Sequence, residues 1–346
     1  MDRRIIGGKV RAGPVPAAVQ AAPQVLHLTV DEGGAGQRLD NFLMRHLKGV
    51  PKTHVYRVIR CGEVRVNKGR AQADTRVQPG DLVRVPPLRL PAAPEAAPVP
   101  AREFELLFED EHLLAIAKPP GVAVHGGSGV SFGVIEQLRR ARPQSKFLEL
   151  VHRLDRDTSG VLLLAKKRSA LTALQDQFRA RSTAKSYTAL VLGAWPAALR
   201  RIDVPLHKFV QPDGQRRVRA SSGGGGAAAA QRAITLVDVV QRLRGFTLLD
   251  VGLLTGRTHQ IRVHLADAGH PIVGDAKYGD FEFNKSLARG QALPGSRYDG
   301  MFLHARRLAF DHPQSGERIV LEAALPAPCA ALLQRLAPLA EPGAAP

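Results

Sequence analysis

HRLDRDTSG, at residues 152–160, carries oxygen-bearing side chains at Asp155, Asp157 and Ser159 and then meets Gly160. A calcium loop of the EF-hand type begins this way. So does a tight turn that displays one reactive carboxylate. The calcium loop needs a carboxylate at its twelfth position. Counted from Asp155 that position is Lys166, and VLLLA at 161–165 offers no side-chain oxygen. Calcium is excluded at this spacing. Turn chemistry alone accounts for Asp157, Thr158, Ser159 and Gly160, because short polar side chains bond nearby backbone amides. It gives Asp155, set between Arg153 and Arg156, nothing to do. The functional alternative is a turn after LELVHRL that holds the Asp155 carboxylate at a sheet edge, fixed from behind by the strand GVLLLAK.

Outward from that turn, HLLAIAKPPG (112–121) and SGVLLLAKK (159–167) read as buried strands ended by turn residues or charge. SFGVIEQLRRAR (131–142) and SALTALQDQFRAR (169–181) read as amphipathic helices. SYTALVLGAW, AITLVDVVQ and GFTLLDVGLLTG read as further strands. Strands come in runs rather than in strict alternation with helices. That predicts an α+β fold with a mixed, mostly antiparallel sheet flanked by helices.

Two other stretches are chemically dense. TGRTHQIRVH (255–264) holds Arg257, Thr258, His259, Gln260, Arg262 and His264. His259 and His264 are five apart, on different sides of a helix, with no cysteine or carboxylate to complete a metal set. THQIRVHLADAG reads as a helix capped by Thr258, with Gly269 just past its end and Arg262 projecting from its first turns. In AKSYTALV (184–191), Tyr187 stands at the start of a strand. Local pattern alone makes it a core residue.

Net charge is +18, from 49 Lys+Arg against 31 Asp+Glu. An excess of this size favours a polyanionic partner, nucleic acid before membrane, although a merely solvated basic surface has the same composition. Cys61 and Cys329 lie far apart, which predicts a reducing compartment. No run approaches the roughly 18 apolar residues of a membrane span, and the N-terminus lacks the apolar core of a signal peptide. A cytoplasmic monomer is the expectation.

Residues 1–23 are rich in Gly, Ala and Pro and are expected to be disordered. Six prolines among residues 86–100 predict a semi-rigid linker at 87–101. It separates a small unit at 24–86 from a large one at 102–340. SSGGGGAAAA at 221–230 reads as a flexible loop inside the large unit.

In the small unit, GQRLDNFLMRHL (36–47) puts Leu39, Phe42, Leu43 and Leu47 at helical spacing. Pro51 and Thr53 open a second helix with Val55, Val58 and Ile59 inward and Gly62 as its stop. EVRVN reads as a strand with Val64 and Val66 on one face, and QPGDLVRVP as a turn feeding another. Among the nine Arg/Lys between Gln37 and Arg70 are Arg38, Lys52, Arg57, Arg60, Arg65 and Lys68; only Asp40 and Glu63 oppose them. A cationic helix face beside a basic turn tracks phosphates as readily as it faces plain solvent. The order of these elements over 37–86 resembles the S4 domain, a small α/β RNA-binding module. The resemblance implies that the second helix and the following turn contact structured RNA.

HRLDRDTSG, the Tyr187 that follows AKS, and GRTHQIRVH together resemble the RluA-type pseudouridine synthases. KPPGVAVH (118–125) and GHPIVGDAKYGD (269–280) belong to the same pattern, which spans about 104–325 in order. The resemblance implies a pseudouridine-synthase fold that isomerises uridine to pseudouridine in large-subunit (23S) ribosomal RNA, without cofactor or metal. It implies that Asp155 is the catalytic aspartate, that Arg262 rather than Arg257 pairs with it, and that Tyr187 lies against the uracil. It implies that Arg153 stacks in the space left by a flipped-out nucleotide, with Arg257 among the RNA contacts. The tract at 221–230 departs from the family pattern. Two other readings compete. A non-catalytic RNA-binding or ribosome-assembly factor on the same fold would not need Asp155. An RNA glycosylase would release free base.

Overall fold

The computed structural model describes residues 24–47, 49–88, 99–126, 132–211, 216–221, 230–293 and 296–336. Residues 1–23, most of the linker 87–101 and most of the tract 221–230 lie outside them. The chain divides into two compact units, Met1–Pro94 and Glu95–Pro346.

In the first unit, β1 (Leu26–Thr29) is followed by helices α1 (Leu39–His46) and α2 (Lys52–Arg60), then β2 (Arg65–Val66), β3 (Gly69–Arg70) and β4 (Leu82–Val85). The strands form one sheet in the order β1-β4-β2-β3. Leu39, Phe42, Leu43 and Leu47 are buried against Val55, Val58 and Ile59 of α2, as their spacing predicts. Gly62 has φ +69°, a left-handed turn just past α2 that glycine adopts without strain. The predicted strand EVRVN is shorter than expected. Val64 is buried but precedes the ladder, and only Arg65 and Val66 pair. Asn67 and Lys68 both have positive φ, so β2 and β3 meet through a two-residue turn of the I′ kind. β1 had no clear sequence signal, because LHLT is short and only half-buried.

The second unit begins with β5 (Leu106–Glu109), β6 (Leu113–Lys118), α3 (Val134–Ala141), β7 (Glu149–Leu150), β8 (Ser159–Ala165) and α4 (Arg168–Ala180). Next come β9 (Ala184–Leu192), β10 (Arg201–Asp203), β11 (Leu206–Val210), β12 (Arg216–Ala220), β13 (Ile234–Leu243) and β14 (Phe246–Leu253). It closes with α5 (Gln260–Asp267), α6 (Phe281–Ala288), β15 (Leu303–Asp311), β16 (Arg318–Glu322) and α7 (Ala327–Arg335). Eight strands run in the order β10-β13-β14-β9-β15-β8-β6-β5; β16 adds to β15 and β7 to β8. Among the described residues, only β8 and β15 pair in parallel in this sheet, and its other pairings are antiparallel. β11 and β12 form a separate hairpin.

The unbroken apolar run of β8 has a simple cause. Leu162 and Leu164 pack on one face with Val134, Ile135 and Leu138 of α3. Val161 and Leu163 pack on the other with Ala170, Leu171 and Leu174 of α4. A strand covered on both faces has no reason to alternate. At its start, Gly160 has φ +111°, and a Cβ there would lie 2.2 Å from the Ala305 carbonyl oxygen of β15. The turn that precedes β8 is therefore pressed onto the middle of the sheet. Among the described residues no helix is long and apolar enough to cross a membrane.

Candidate active site

Asp155 lies in the turn just before β8. Its carbonyl accepts the Thr158 amide at 3.2 Å, closing a four-residue turn over DRDT. Lys118, at the end of β6, supports the turn from below. Its side chain is 1% exposed, and its ammonium donates to the carbonyls of Pro119, Val122 and Arg156 at 2.7, 2.8 and 2.9 Å. Burial pushes the Lys118 pKa down to about 7, against the pull of Asp157 and Asp155. KPPG belongs to the motif at 118–125, and its lysine staples two loops together.

Arg262 is the third residue of α5 and is 6% exposed. Its Nη1 donates to Asp155 Oδ2 at 3.0 Å across 107 residues of chain. Its other edge is held by Asp275, which is fully buried: Nε donates to Oδ2 at 2.7 Å and Nη2 to Oδ1 at 2.8 Å. Asp275 Oδ1 also accepts the amides of Lys277 and Tyr278 at 2.8 and 3.0 Å. Burial works to raise the Asp275 pKa, but these bonds and the guanidinium charge outweigh it and hold the carboxyl below its usual range. Arg262, for its part, stays protonated. The planar fork is thus fixed by one carboxylate and offers its remaining edge to the other. Among the described residues Asp155 Oδ1 takes no hydrogen bond, and the side chain is 20% exposed.

The pocket around Asp155 has a volume of about 260 Å³, below the roughly 300–1,000 Å³ of drug-sized clefts. Tyr187, the fourth residue of β9, lines it and is 9% exposed. Burial, then the charge of Asp155, pushes its phenol well above the usual range, so it stays neutral. Arg153 stands exposed on the rim, and Arg257 lines the wall with its Nε donating to the Arg232 carbonyl at 3.2 Å. Asp155, Tyr187, Arg262, Arg153 and Arg257 therefore share one pocket.

α5 starts one residue later than its sequence predicts. His259, not Thr258, is the capping residue; it adopts a left-handed conformation (φ 55°), makes no side-chain cap bond, and leaves Thr258 lining the pocket. His259 Nδ1 lies 2.8 Å from the Tyr278 hydroxyl, and its Nε2 lies 3.8 Å from Asp155 Oδ2. Burial pushes His259 down to about 4, so it is neutral near pH 7. His264 is spent elsewhere, between the Thr235 hydroxyl and the Val204 carbonyl. Among the described residues no group of three or more His, Cys, Asp or Glu could hold a metal. At the other end of α5, Gly269 (φ +83°) and the bonds Gly269 N–H to Ala266 and His270 N–H to Leu265 complete a Schellman stop.

The small unit has a different character. Lys52, Arg57, Arg60 and Lys68 are exposed, and Arg65 is half-buried. Arg57 Nη2 lies 2.9 Å from His54 Nε2 and 3.9 Å separates Arg57 from Glu63. Arg38 is tied to the buried Asp40 by two bonds of 3.2 and 2.8 Å, with Tyr56 donating to the same carboxylate. Arg38 and Arg60 face one groove, together with Arg70. Lys52, Arg57, Arg65 and Lys68 are not among its lining residues.

Residues 112–267 match the family described as RNA pseudouridylate synthase, and residues 37–83 match the S4 domain. The chain is 49% identical over 310 residues to a Yersinia pestis protein named ribosomal large subunit pseudouridine synthase C, covering 88% of this chain and 93% of that one. It is 47% identical over 319 residues to the protein of the same name in Escherichia coli K12, covering 90% and 96%. Among solved structures, human RNA pseudouridylate synthase domain containing 4 aligns with a TM-score of 0.54 at 28% identity, over 67% of this chain and 92% of that one. The chain belongs to the RNA pseudouridylate synthase family, with an S4 domain ahead of its synthase domain.

Proposed function

We propose that this protein converts uridine to pseudouridine at defined sites of large-subunit ribosomal RNA. Asp155 is the catalytic carboxylate, Arg262 its fixed counter-charge, and Tyr187 the ring beneath the uracil. In the overall reaction the N1–C1′ bond breaks, a C5–C1′ bond forms, and the proton lost from C5 is balanced by one gained at N1. Nothing is oxidised and no atom leaves, so the chemistry calls for no cofactor. The observation that carries the reading is the Asp155–Arg262 pair. One carboxylate oxygen is held by a guanidinium, the other takes no hydrogen bond among the described residues, and the side chain lines a pocket of about 260 Å³. Trapping of C1′, addition to uracil C6 and glycal formation all begin at that carboxylate, acting as nucleophile or base.

A uridine in folded RNA reaches such a pocket only by leaving its stack, at a cost of a few kcal/mol. Arg153 on the rim fills the vacated space by stacking on neighbouring bases, and Arg257 contacts the backbone. The unit at 24–86 binds RNA through Arg38, Lys52, Arg57, Arg60, Arg65 and Lys68, and the linker 87–101 joins it to the synthase unit at 102–340. The phosphate attraction this supplies offsets the cost of flipping, and it weakens steeply with salt. The enzyme works as a cytoplasmic monomer.

Pseudouridine mapping of total ribosomal RNA with and without the gene tests this reading. Loss of specific large-subunit pseudouridines, restored by the intact gene, is the expected result. An unchanged map overturns it. Release of free uracil from RNA by the purified protein would instead establish a glycosylase.

A further inference from the structure

Lys185 is a charged residue of the pocket that has no carboxylate partner among the described residues. It stands two residues before Tyr187 on β9, so both side chains leave the same face of the strand, about 7 Å apart along it. Both line the pocket that contains Asp155. Among the described residues, the Lys185 ammonium meets no carboxylate and makes no hydrogen bond. The rings beside it are apolar or neutral, and the charge that acts on it, Arg181, is another cation. Nζ lies 5.3 Å from the centroid of the Phe178 ring, and His152 stacks on that same ring at 5.0 Å. His152 is itself pushed down to about 4 by burial and by Lys185, so it adds no charge near pH 7. Burial, then Arg181, lowers the Lys185 pKa. A Cβ on Gly256 would lie 3.9 Å from Nζ, so the loop before α5 passes close to the ammonium without a side chain.

Leaving a half-buried ammonium unpaired is costly unless a ligand supplies the anion. Asp155 is already held by Arg262, and among the described residues no carboxylate offsets Lys185, so its ammonium, like the guanidinium groups of Arg153 and Arg257 in the same pocket, is left to meet an anion. Uracil and ribose are neutral near pH 7; the only formal charge a nucleotide brings is its phosphodiester. The separation from Tyr187 is on the scale of that between a base and its own phosphate. We propose that Lys185 binds a phosphodiester next to the flipped uridine, anchoring the backbone while Tyr187 and Asp155 engage the base and sugar. This rests on the function proposed above.

The test uses the full chain and a short large-subunit RNA fragment containing a mapped target uridine. The fragment is made unmodified and with a single neutral methylphosphonate on the 5′ or the 3′ side of that uridine. Lys185→Met should weaken RNA binding about tenfold, the scale of one charge-assisted hydrogen bond. It should lower the slope of log affinity against log salt by about 1 and raise KM more than it lowers kcat. Lys185→Arg should restore most of the loss. One of the two methylphosphonates should weaken the wild-type protein by a similar factor and cost Lys185→Met nothing further. If neither methylphosphonate affects the wild type, the proposal is wrong, whether or not the variants fold. It is equally wrong if the two losses simply multiply, or if kcat alone falls. Absence of pseudouridine from wild-type reactions on the unmodified fragment defeats the functional reading instead, while the binding data still report on the phosphate contact.

Discussion

Arginine serves opposite ends in the two units. In the small unit Arg57 and Arg60 stand in solvent on one helix, and Lys68 sits at the tip of a turn. In the large unit Arg262 is buried, its fork shared between Asp275 and Asp155. Solvated cations attract phosphates at low cost and act nearly independently. A buried guanidinium is stable only as part of a completed geometry, since desolvating a charge costs several kcal/mol unless its partners return it. The exposed charges of the small unit are thus available to a polyanion, whereas Arg262 is a cation whose hydrogen bonds are almost fully specified.

The largest effects are expected at the buried guanidinium. Arg262→Met leaves two carboxylates facing each other without a cation, and should cost about 3–5 kcal/mol of stability with activity lost. Denaturant unfolding and a turnover assay measure both. Asp275→Asn should keep the fold but loosen the fork, lowering kcat about 10–100-fold with a smaller change in KM, the scale at which orienting partners act.

Acid should separate the units further. His152 and His259 both have folded pKa values near 4, against 6.5 for an ordinary histidine. Their contribution is fully present above about pH 6.5 and is lost as pH falls toward 4, because the unfolded chain binds the proton first. His259→Asn should flatten that acid limb by up to about 3 kcal/mol, read from stability at pH 4.5 against pH 7. The smallest expected effect lies on the solvated side. Arg57→Gln or Arg60→Gln should change stability by less than about 0.5 kcal/mol while lowering the salt slope of RNA binding by about 1 each. A large stability loss from either would show that these arginines are structural.

What could be read from the sequence follows the same division. The helices of the small unit and the buried strand β8 were legible because periodicity records burial: VLLLA has apolar neighbours on both faces, and Leu39, Phe42 and Leu43 on one. Asp155 stood out because a calcium loop fails at Lys166 and turn chemistry leaves it unexplained. Asp275 was not, although it lies within a motif the sequence displays. In VGDAKYGD an aspartate after glycine reads as turn chemistry, and it does accept the amides of Lys277 and Tyr278. Its second task, clamping Arg262, depends on how the segment after α5 returns to that helix, which spacing does not encode. The start of α5 was misplaced for a related reason: a threonine before a helical run is a good cap, but here His259 takes the left-handed position and holds Tyr278. Lys118 and Lys185 were not singled out, because their burial depends on how the strands and loops around them pack.

Isomerisation by the Asp155 carboxylate is the step on which the proposed function stands. It is tested most directly by single-turnover pseudouridine formation on large-subunit RNA with Asp155→Asn, alongside RNA binding. Loss of product by more than about a thousandfold, with binding within a few-fold of wild type, is the predicted result. Product formed at the wild-type rate would contradict the account.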